Sequence, residues 1–330
     1  MDRQLAIVTG ASTGIGYEFA RICPPEGYDL LIAADEVDIE KAAADLRREP
    51  GAEVVEALHL DPAKQEGVDK LHAAVRGRPI AVLTANAGRG LGHPFLDQDL
   101  ARIRDVIGTN VTWTTCLLHQ LGNDMRQRNQ GRILIMGSIA GFTPGSFQAV
   151  YNASKAYLNS LSFALREELR DTEISVTCLM PSATETEFLK RADMLDTKVG
   201  SGEKDDPAMV ARQGFVAMMK GEGDVVTGVK NKIQSAVANV TPAETLAKQH
   251  RKMAEPGSAK HSPANRRKLS CSRNQCWLAP SWPSAQLSPS AAPAIQPTAM
   301  PALGRSRRAK RVRPREPPRQ APRSIRQLQP

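Results

Sequence analysis

The chain has 330 residues, 41% of them hydrophobic, which is enough for a substantial core in one large domain or two small ones. No apolar run approaches the roughly 18 residues of a membrane-spanning helix, so the sequence predicts no membrane span. The formal net charge is +9, but residues 261–330 hold 14 Lys and Arg against one acid, so the first 260 residues carry −4 and are not a basic nucleic-acid-binding domain.

Short apolar runs alternate with longer amphipathic stretches along the first 260 residues. The runs that indicate buried strands are 5–10, 29–34, 52–60, 80–88, 131–138 and 174–181. Helical spacing of apolar residues is present over 14–23, 38–49 and 149–170. Strands that are apolar throughout need cover on both faces. The alternation therefore predicts an α/β fold, a doubly wound parallel sheet of the Rossmann type with helices on both faces.

The glycine-rich loop "TGASTGIG" joins the first predicted strand to the first predicted helix. Its glycines allow a tight turn and a close approach to a pyrophosphate, while the helix N-terminus offers N–H groups and the positive end of its dipole. This strand–turn–helix context favours dinucleotide binding over the alternative, a turn that only packs helix on strand. The candidate cofactor-binding residues in the loop are Gly10, Ser12, Thr13, Gly14, Ile15 and Gly16.

The end of the second predicted strand carries two acids, Asp35 and Glu36. A carboxylate about 20 residues after a glycine loop accepts hydrogen bonds from a free ribose 2′-OH and repels a 2′-phosphate. No Arg or Lys stands at this turn in the sequence, so the pattern predicts NAD, with NADP as the less favoured cofactor. The alternative is that the acids only begin the next helix.

The pentapeptide "YNASK" places Tyr151 and Lys155 one above the other on one face of a predicted helix. An ammonium beside a phenol lowers the phenol's pKa from about 10, which would let Tyr151 exchange a proton near neutral pH. Such pairs are common on helices, so the hypothesis depends on whether other residues of a site lie nearby. Ser138 and the turn Asn86–Gly88 follow predicted strands, where ligands of open α/β sheets bind, and Asn110 lies in a following helix.

In this order and spacing, these motifs and the stretch "PSATET" (181–186) resemble the short-chain dehydrogenase/reductase family over about residues 3–255. The resemblance implies that Tyr151 is the general acid/base and that Lys155 lowers its pKa and holds the nicotinamide ribose. It implies that Ser138 orients the substrate oxygen and that Asn110 holds a water of the proton relay. The implied activity is hydride transfer between a nicotinamide cofactor and a small-molecule alcohol or ketone.

The resemblance also implies cofactor contacts along the groove and an assembly. Asp61 would contact the adenine, and Asn86, Ala87 and Gly88 would line the adenosine side. The nicotinamide end would be held by Pro181, Thr184 and Thr186. The family usually forms dimers or tetramers through paired helices, so a homodimer or homotetramer is expected.

Three features depart from the family's pattern. Ser182 stands where the family usually has glycine, and a serine there is strained if the position needs a positive φ. Pro24 and Pro25 stand at the end of the first predicted helix, which they cannot continue. Trp113 follows Asn110 closely, where we expect a small residue, and could crowd the relay. Ser182 and Trp113 keep open a second hypothesis, a dinucleotide-binding regulator with little turnover.

Apolar residues on both sides of "PSATET" and before "YNASK" could line a substrate pocket under a mobile lid. They are Phe142, Phe147, Phe188, Leu189, Met194 and Leu195. The alternative is that they are ordinary packing residues, as most apolar residues are. The substrate expected from such a pocket is a moderately lipophilic alcohol or ketone.

Metal and disulfide chemistry are not indicated. The five cysteines are scattered and odd in number, and the six histidines show no ligand spacing with acids or cysteines. The N-terminus shows no secretory signal, so a cytoplasmic location is expected.

The composition predicts a catalytic domain over 1–260 and a basic, proline-rich extension over 261–330 that holds 12 of the 23 prolines. The extension lacks the apolar pattern that a core requires and is predicted to be disordered. Its charge raises a third hypothesis, association with nucleic acid through phosphates. That hypothesis is disfavoured because the extension has few aromatic residues and no visible binding fold.

Overall fold

A computed structural model describes residues 3–228, 231–232, 237–238 and 240–259. All of them lie in Met1–Ser272, the first of the two units into which the chain divides. The predicted extension over 261–330 lies outside the described residues, so the domain boundary at 260 stays a prediction. None of the described helices combines the length and apolarity that crossing a bilayer requires.

Seven strands form one parallel sheet in the order β3-β2-β1-β4-β5-β6-β7. They are β1 (Gln4–Thr9), β2 (Tyr28–Ala34), β3 (Val55–His59), β4 (Ile80–Ala85), β5 (Gly131–Met136), β6 (Ile174–Met180) and β7 (Asp224–Val226). The predicted doubly wound parallel sheet is confirmed, and the order reverses between β1 and β4, where such sheets bind ligands. The sequence pattern missed β7, because three residues carry too little periodicity to be recognised.

Ten α-helices are described. They are α1 (Gly14–Ile22), α2 (Ile39–Leu46), α3 (Gln65–Val75), α4 (Leu100–Ile107), α5 (Thr114–Gln127), α6 (Ala149–Glu168), α7 (Phe188–Arg191), α8 (Lys198–Ser201), α9 (Pro207–Met219) and α10 (Ala243–Ala254). Of these, α1, α2 and α9 pack on one face of the sheet, while α3, α5 and α6 pack on the other.

The strands are apolar throughout because both faces of the sheet are covered. Val8 packs with α1, α2 and α9 on one face, and its neighbour Ile7 packs with α3, α5 and α6 on the other. Both side chains are fully buried. Complete burial of a side chain of this size stabilises the fold by about 1.5–3 kcal/mol. The two cores fix the strand ends, which carry the polar residues of the site.

Pro24 and Pro25 lie in a tight turn that follows the end of the first helix. The last helical residue is Ile22, and the N–H groups of Glu26 and Gly27 donate to the carbonyls of Cys23 and Pro24 at 3.2 and 3.0 Å. The chain then enters β2 directly. The prolines therefore terminate α1 without disturbing the strand that leads to the acids at its end.

Candidate active site

One cavity of about 1130 Å³ opens at the carboxyl ends of the central strands. It extends from the glycine loop at the end of β1, past Ser138 after β5, to the first turns of α6 and the loop 181–186 after β6. The parallel sheet thus brings together motifs that lie more than a hundred residues apart in the sequence.

The glycine loop has the shape that a pyrophosphate requires. Gly10 and Gly14 adopt φ values of +65° and +63°, which favour glycine. A Cβ on Gly16 would lie 2.2 Å from the Gly10 carbonyl oxygen, so no larger residue fits there. Thr13 precedes α1 without a side-chain capping bond, which leaves the first N–H groups of that helix for an anion. The predicted loop residues line the cavity and fit a dinucleotide.

Asn86 supports the glycine loop through its side chain. Its amide nitrogen donates to the carbonyls of Thr9 and Gly10 at 2.9 and 3.1 Å. Thr9 Oγ1 accepts from the N–H groups of Asn86 and Ala87 at 3.0 and 3.1 Å. Asn86, Ala87 and Gly88 line the cavity as predicted, but the amide of Asn86 acts on the protein backbone. Thr9 is the structural partner that the sequence analysis missed, because nothing in a strand sequence distinguishes it from an ordinary buried threonine.

The acids at the end of β2 are not free of basic partners. The guanidinium group of Arg89 contacts the Asp35 carboxylate, and that of Arg191 contacts the Glu36 carboxylate. The expectation that no Arg or Lys stands at this turn holds for the local sequence but is wrong for the folded chain. The two arginines come from 54 and 155 residues further along the sequence. Since the arginines offset the carboxylate charges, the acids alone no longer decide between NAD and NADP.

Asp61 lies between two residues that line the cavity, and its predicted contact with the adenine stays a prediction. Leu60 and Pro62 line the cavity, whereas Asp61 does not. Its Oδ1 accepts from the Ala63 N–H at 2.9 Å and its Oδ2 lies 3.3 Å from Lys64 Nζ. The backbone hydrogen bond from Ala63 is the main cause that lowers the pKa of the Asp61 carboxyl. Asp61 therefore stabilises its own turn beside the adenosine end of the cavity.

Tyr151, Lys155 and Ser138 face the same cavity, as predicted. Lys155 is buried, and its Nζ donates to the Met136 carbonyl at 2.8 Å and lies 5.9 Å from the centre of the Tyr151 ring. Ser138 Oγ accepts from the Ala140 N–H at 3.1 Å and donates to the Pro181 carbonyl at 3.4 Å.

The pKa of Tyr151 differs from the prediction. Desolvation by burial raises it to about 12, and a hydrogen bond with Ser138 opposes the rise. Lys155 is not among the groups that lower it, because the ammonium group is held at the Met136 carbonyl. Desolvation lowers the pKa of Lys155 to about 8. The expected lowering of the phenol's pKa by Lys155 is therefore not seen in this arrangement, and Tyr151 holds its proton at neutral pH.

Asn110 lies in a π-helical turn, Gly108–Trp113, between α4 and α5. Such widened turns are frequent at functional sites. Its side chain is fully buried: Oδ1 accepts from the Arg89 N–H at 2.8 Å, and Nδ2 donates to the Arg89 carbonyl and to Ser154 Oγ, each at 2.9 Å. Asn110 thus fixes the backbone of Arg89, the residue that contacts Asp35. The role of Asn110 in a proton relay stays a prediction.

Ser182 fits its position without strain, whereas Trp113 lines the cavity and its crowding of the relay stays a prediction. Ser182 is absent from the described non-glycine residues with positive φ, so the condition under which a serine would be strained here is not met. Its hydroxyl donates to Asp205 Oδ2 at 2.7 Å. Trp113 is 2% exposed and packs in the core with Leu117 and Leu121, on the α3 and α5 side of the sheet.

The loop 181–186 lies against both catalytic and cofactor-binding segments. The Pro181 carbonyl accepts from the Ile139 N–H at 3.2 Å as well as from Ser138. A Cβ added to Gly14 would lie 2.8 Å from Thr186 Cγ2, so this loop touches the glycine loop. Pro181, Thr184 and Thr186 all line the cavity. The predicted nicotinamide end is therefore adjacent to Ser138.

The predicted substrate-pocket residues separate into two groups. Phe188 and Leu189 line the cavity, and the Phe188 ring packs against Tyr151 with 5.1 Å between ring centres. The others do not line it. Met194 is buried in a small core with Ala254, and Leu195 is 53% exposed. The alternative of ordinary packing therefore holds for Met194.

Helix α10 forms a cavity wall that the sequence analysis missed. Its lining residues are Leu246, Gln249, His250 and Met253. His250 is buried, its Nδ1 lies 2.9 Å from the Ser146 carbonyl, and desolvation lowers its pKa, so it is neutral at pH 7. Apolar and polar residues at helical spacing in "AETLAKQHRKMA" were the available signal, but that spacing does not show what the helix packs against.

Within the described residues no group of three His, Cys, Asp or Glu side chains could hold a metal ion. Cys23, Cys116 and Cys178 are free thiols. Cys271 and Cys276 lie outside the described residues.

Known proteins resemble this chain in sequence over the segments that build the site. A family model for short chain dehydrogenases matches residues 4–194. A very-long-chain 3-oxoacyl-CoA reductase of Pyricularia oryzae is 33% identical over 176 residues, which are 52% of this chain and 53% of that protein. The chain thus spans about half the length of the curated relatives of this description that it matches.

Solved structures share the fold. A short-chain dehydrogenase from Sphingobium yanoikuyae in complex with NADPH has a TM-score of 0.65 at 26% identity, over 84% of this chain and 99% of its own. A short-chain dehydrogenase/reductase from Burkholderia phymatum in complex with NAD has a TM-score of 0.66 at 23% identity, over 71% and 92% of the two chains. The second likeness shows the fold alone.

Proposed function

Because this chain belongs to the short-chain dehydrogenase/reductase family, we propose that it is an oxidoreductase that transfers a hydride between a nicotinamide cofactor and an alcohol or ketone. One observation carries the proposal. A single cavity joins a loop shaped for a pyrophosphate to Ser138, Tyr151 and Lys155. A pure dinucleotide-binding regulator has no need of that second set of residues.

The cofactor, when bound, supplies the hydride in reduction and accepts it in oxidation, and the chain correspondingly supplies or accepts the proton. Tyr151 holds its proton at neutral pH and donates it to the substrate oxygen during reduction. Ser138 lies beside Tyr151 and orients that oxygen through its hydroxyl. In the oxidation direction Tyr151 must first lose its proton, so its raised pKa favours reduction near neutral pH.

Lys155 acts mainly as a buried cation. With a pKa of about 8, its ammonium form dominates at neutral pH. From one turn below Tyr151 it can donate to the nicotinamide ribose hydroxyls while it holds the Met136 carbonyl. We assign it to cofactor binding.

For the cofactor, the proposal is NAD first and NADP second. Asp35 can accept hydrogen bonds from a ribose 2′-OH, which favours NAD. Arg89 offsets the charge of Asp35 and offers a guanidinium group that could contact a 2′-phosphate. A similar short-chain dehydrogenase binds NADPH.

The proposed substrate is a lipophilic ketone or the corresponding alcohol. Phe188 packs against Tyr151, and Leu189, Leu246 and Met253 add apolar lining to the same cavity. Curated relatives named very-long-chain 3-oxoacyl-CoA reductases make a 3-oxoacyl thioester a specific candidate.

A homodimer or homotetramer in the cytoplasm is part of the proposal. Leu100 and Ile107 on α4 and Tyr157 on α6 are exposed, with 57%, 43% and 39% of their surfaces accessible. These two helices pack side by side. Burial of their apolar side chains against a second copy would support an assembly.

A substrate screen tests the proposal. Ketones, secondary alcohols and a 3-oxoacyl-CoA are offered with NADH, NADPH and their oxidised forms, and the absorbance of reduced nicotinamide is followed. Turnover with at least one pair supports the proposal. Binding of a dinucleotide without turnover across the panel would favour the regulator, and binding of neither dinucleotide would overturn both.

A further inference from the structure

The loop 181–186 is joined to one residue, Asp205, by both backbone and side chain. The Asp205 N–H donates to the Ala183 carbonyl, and the Glu185 N–H donates to the Asp205 carbonyl, each at 2.9 Å. Thr184 and Asp205 form a parallel bridge there. The Ser182 hydroxyl adds a side-chain link to Asp205 Oδ2 at 2.7 Å.

Asp205 also connects this loop to the sheet. Thr227, which follows β7, donates its hydroxyl to the same Oδ2 at 3.4 Å and is fully buried. One carboxylate oxygen therefore accepts hydrogen bonds from two segments of the chain. Hydrogen bonds to a carboxylate are about twice as strong as those between neutral groups.

The Ser182 link matters for the residues on both sides of it. On one side, the Pro181 carbonyl accepts from Ser138 Oγ. On the other, Thr184 Oγ1 donates to the Ser182 carbonyl at 3.1 Å. A shift of Ser182 would therefore move a hydrogen-bond partner of the proposed substrate-orienting hydroxyl together with a predicted nicotinamide contact.

We propose that Ser182 and Asp205 are positioning residues that hold the loop 181–186 against the nicotinamide half of the bound cofactor. The inference rests on the proposed function. A glycine at position 182 would leave the loop with its backbone links alone. Here the hydroxyl and the carboxylate supply an additional fixed point, and both residues line the cavity.

The test separates the two halves of the dinucleotide. Dissociation constants are measured for NADH, NADPH and ADP with the full-length wild type and with Ser182→Ala and Asp205→Asn. Loss of the Ser182 hydrogen bond in Ser182→Ala, or of the carboxylate charge that strengthens it in Asp205→Asn, should weaken binding of whichever dinucleotide the wild type binds by about tenfold. ADP affinity should be unchanged, because ADP lacks the nicotinamide half. If the two residues only stabilised the fold, their loss would not weaken dinucleotide binding while leaving ADP affinity unchanged.

The double variant tests whether the two residues act through one bond. If they do, Ser182→Ala with Asp205→Asn binds the dinucleotide no more weakly than the weaker single variant. Thr227→Val is the matched control, because it removes the longer bond to the same carboxylate and keeps Ser182 in place. Its dinucleotide affinity should fall by less than that of Ser182→Ala, because the bond that it removes is the longer of the two.

The outcomes distinguish the inference from the proposed function. If the wild type binds NADH or NADPH and Ser182→Ala binds equally well, the positioning role is overturned and the proposed function stands. The same conclusion follows if ADP binding weakens as much as dinucleotide binding. If the wild type binds ADP but neither dinucleotide, the proposed function fails and the inference fails with it.

Discussion

Burial moves the pKa values of Tyr151 and Lys155 in opposite directions. The phenol is raised to about 12 and the ammonium is lowered to about 8, because desolvation disfavours the charged form of each group. At neutral pH the site therefore holds a protonated phenol above a buried cation. This state suits proton donation to a ketone oxygen that gains a hydride.

The pKa of Lys155 predicts a pH dependence of cofactor binding. The ammonium form is lost as pH rises through about 8, so donation to ribose hydroxyls weakens above that value. We expect the dissociation constant for the reduced dinucleotide to rise between pH 7 and pH 9, as measured by nicotinamide fluorescence. Lys155→Met should bind more weakly and show a flat profile. A wild-type profile as flat as that of the variant would contradict the assignment.

The same shift predicts a stability gain when the charge is removed. Lys155 titrates near 8 when folded and near 10.4 when unfolded, so below pH 8 the folded state carries the full penalty of the buried charge. The penalty is about 3 kcal/mol and disappears as pH rises through 10.4. Lys155→Met should therefore melt at a higher temperature than the wild type at pH 7, and the difference should shrink toward pH 10. A lower melting temperature at pH 7 would show that the cation stabilises the fold.

At the residue scale, some members of the site could be predicted from the sequence and others could not. Tyr151, Lys155 and Ser138 could be assigned because motif spacing and strand ends are local properties. Arg89 and Arg191 could not be assigned to the acids after β2, because side-chain contacts across 54 and 155 residues depend on how loops pack. For that reason the acids after β2 alone do not decide between NAD and NADP.

At the scale of elements, the junction of β1 and α1 depends on contacts that only glycine permits. Gly16 meets the Gly10 carbonyl, whereas Gly122 in α5 has open space where a Cβ would stand. We expect Gly16→Ala to abolish dinucleotide binding. Gly122→Ala should bind normally and should stabilise the protein by about 0.5–1 kcal/mol, as alanine does in a helix.

Binding of both variants to NADH and NADPH, with thermal melting of each, checks this prediction. Normal dinucleotide affinity in Gly16→Ala would show that the loop does not approach the pyrophosphate closely.

Elements with strong periodicity were predictable, and elements defined by partners were not. The six predicted strands and the helix that carries Tyr151 follow from apolar runs and from 3.6-residue spacing. β7 is held by its pairing to β6, and the position of α10 on the cavity is held by contacts such as His250 with Ser146. Neither pairing can be recognised from the local sequence pattern.

At the scale of the whole molecule, the described residues up to 259 already supply a complete set of predicted catalytic and cofactor-binding side chains. All of the described cavity-lining residues lie between Gly10 and Met253. We therefore expect a chain that ends at Lys260 to keep the wild-type cofactor affinity, turnover and melting temperature. A loss of turnover on this truncation would show that the extension contributes to the site.

The same truncation tests association with nucleic acid. The 14 Lys and Arg of residues 261–330 should account for any salt-sensitive retention of the full chain on DNA. Equal retention of the shortened chain would contradict an electrostatic role for the extension.

Proton transfer by the Tyr151 hydroxyl to the substrate oxygen is the step on which the proposed chemistry depends. The most direct measurement compares turnover and cofactor affinity in the wild type and in Tyr151→Phe, which removes one oxygen atom and keeps the ring against Phe188. We predict an unchanged dissociation constant for the reduced dinucleotide and a fall in kcat of about 10²–10⁴-fold. A variant that turns over at the wild-type rate would show that the proton comes from another group.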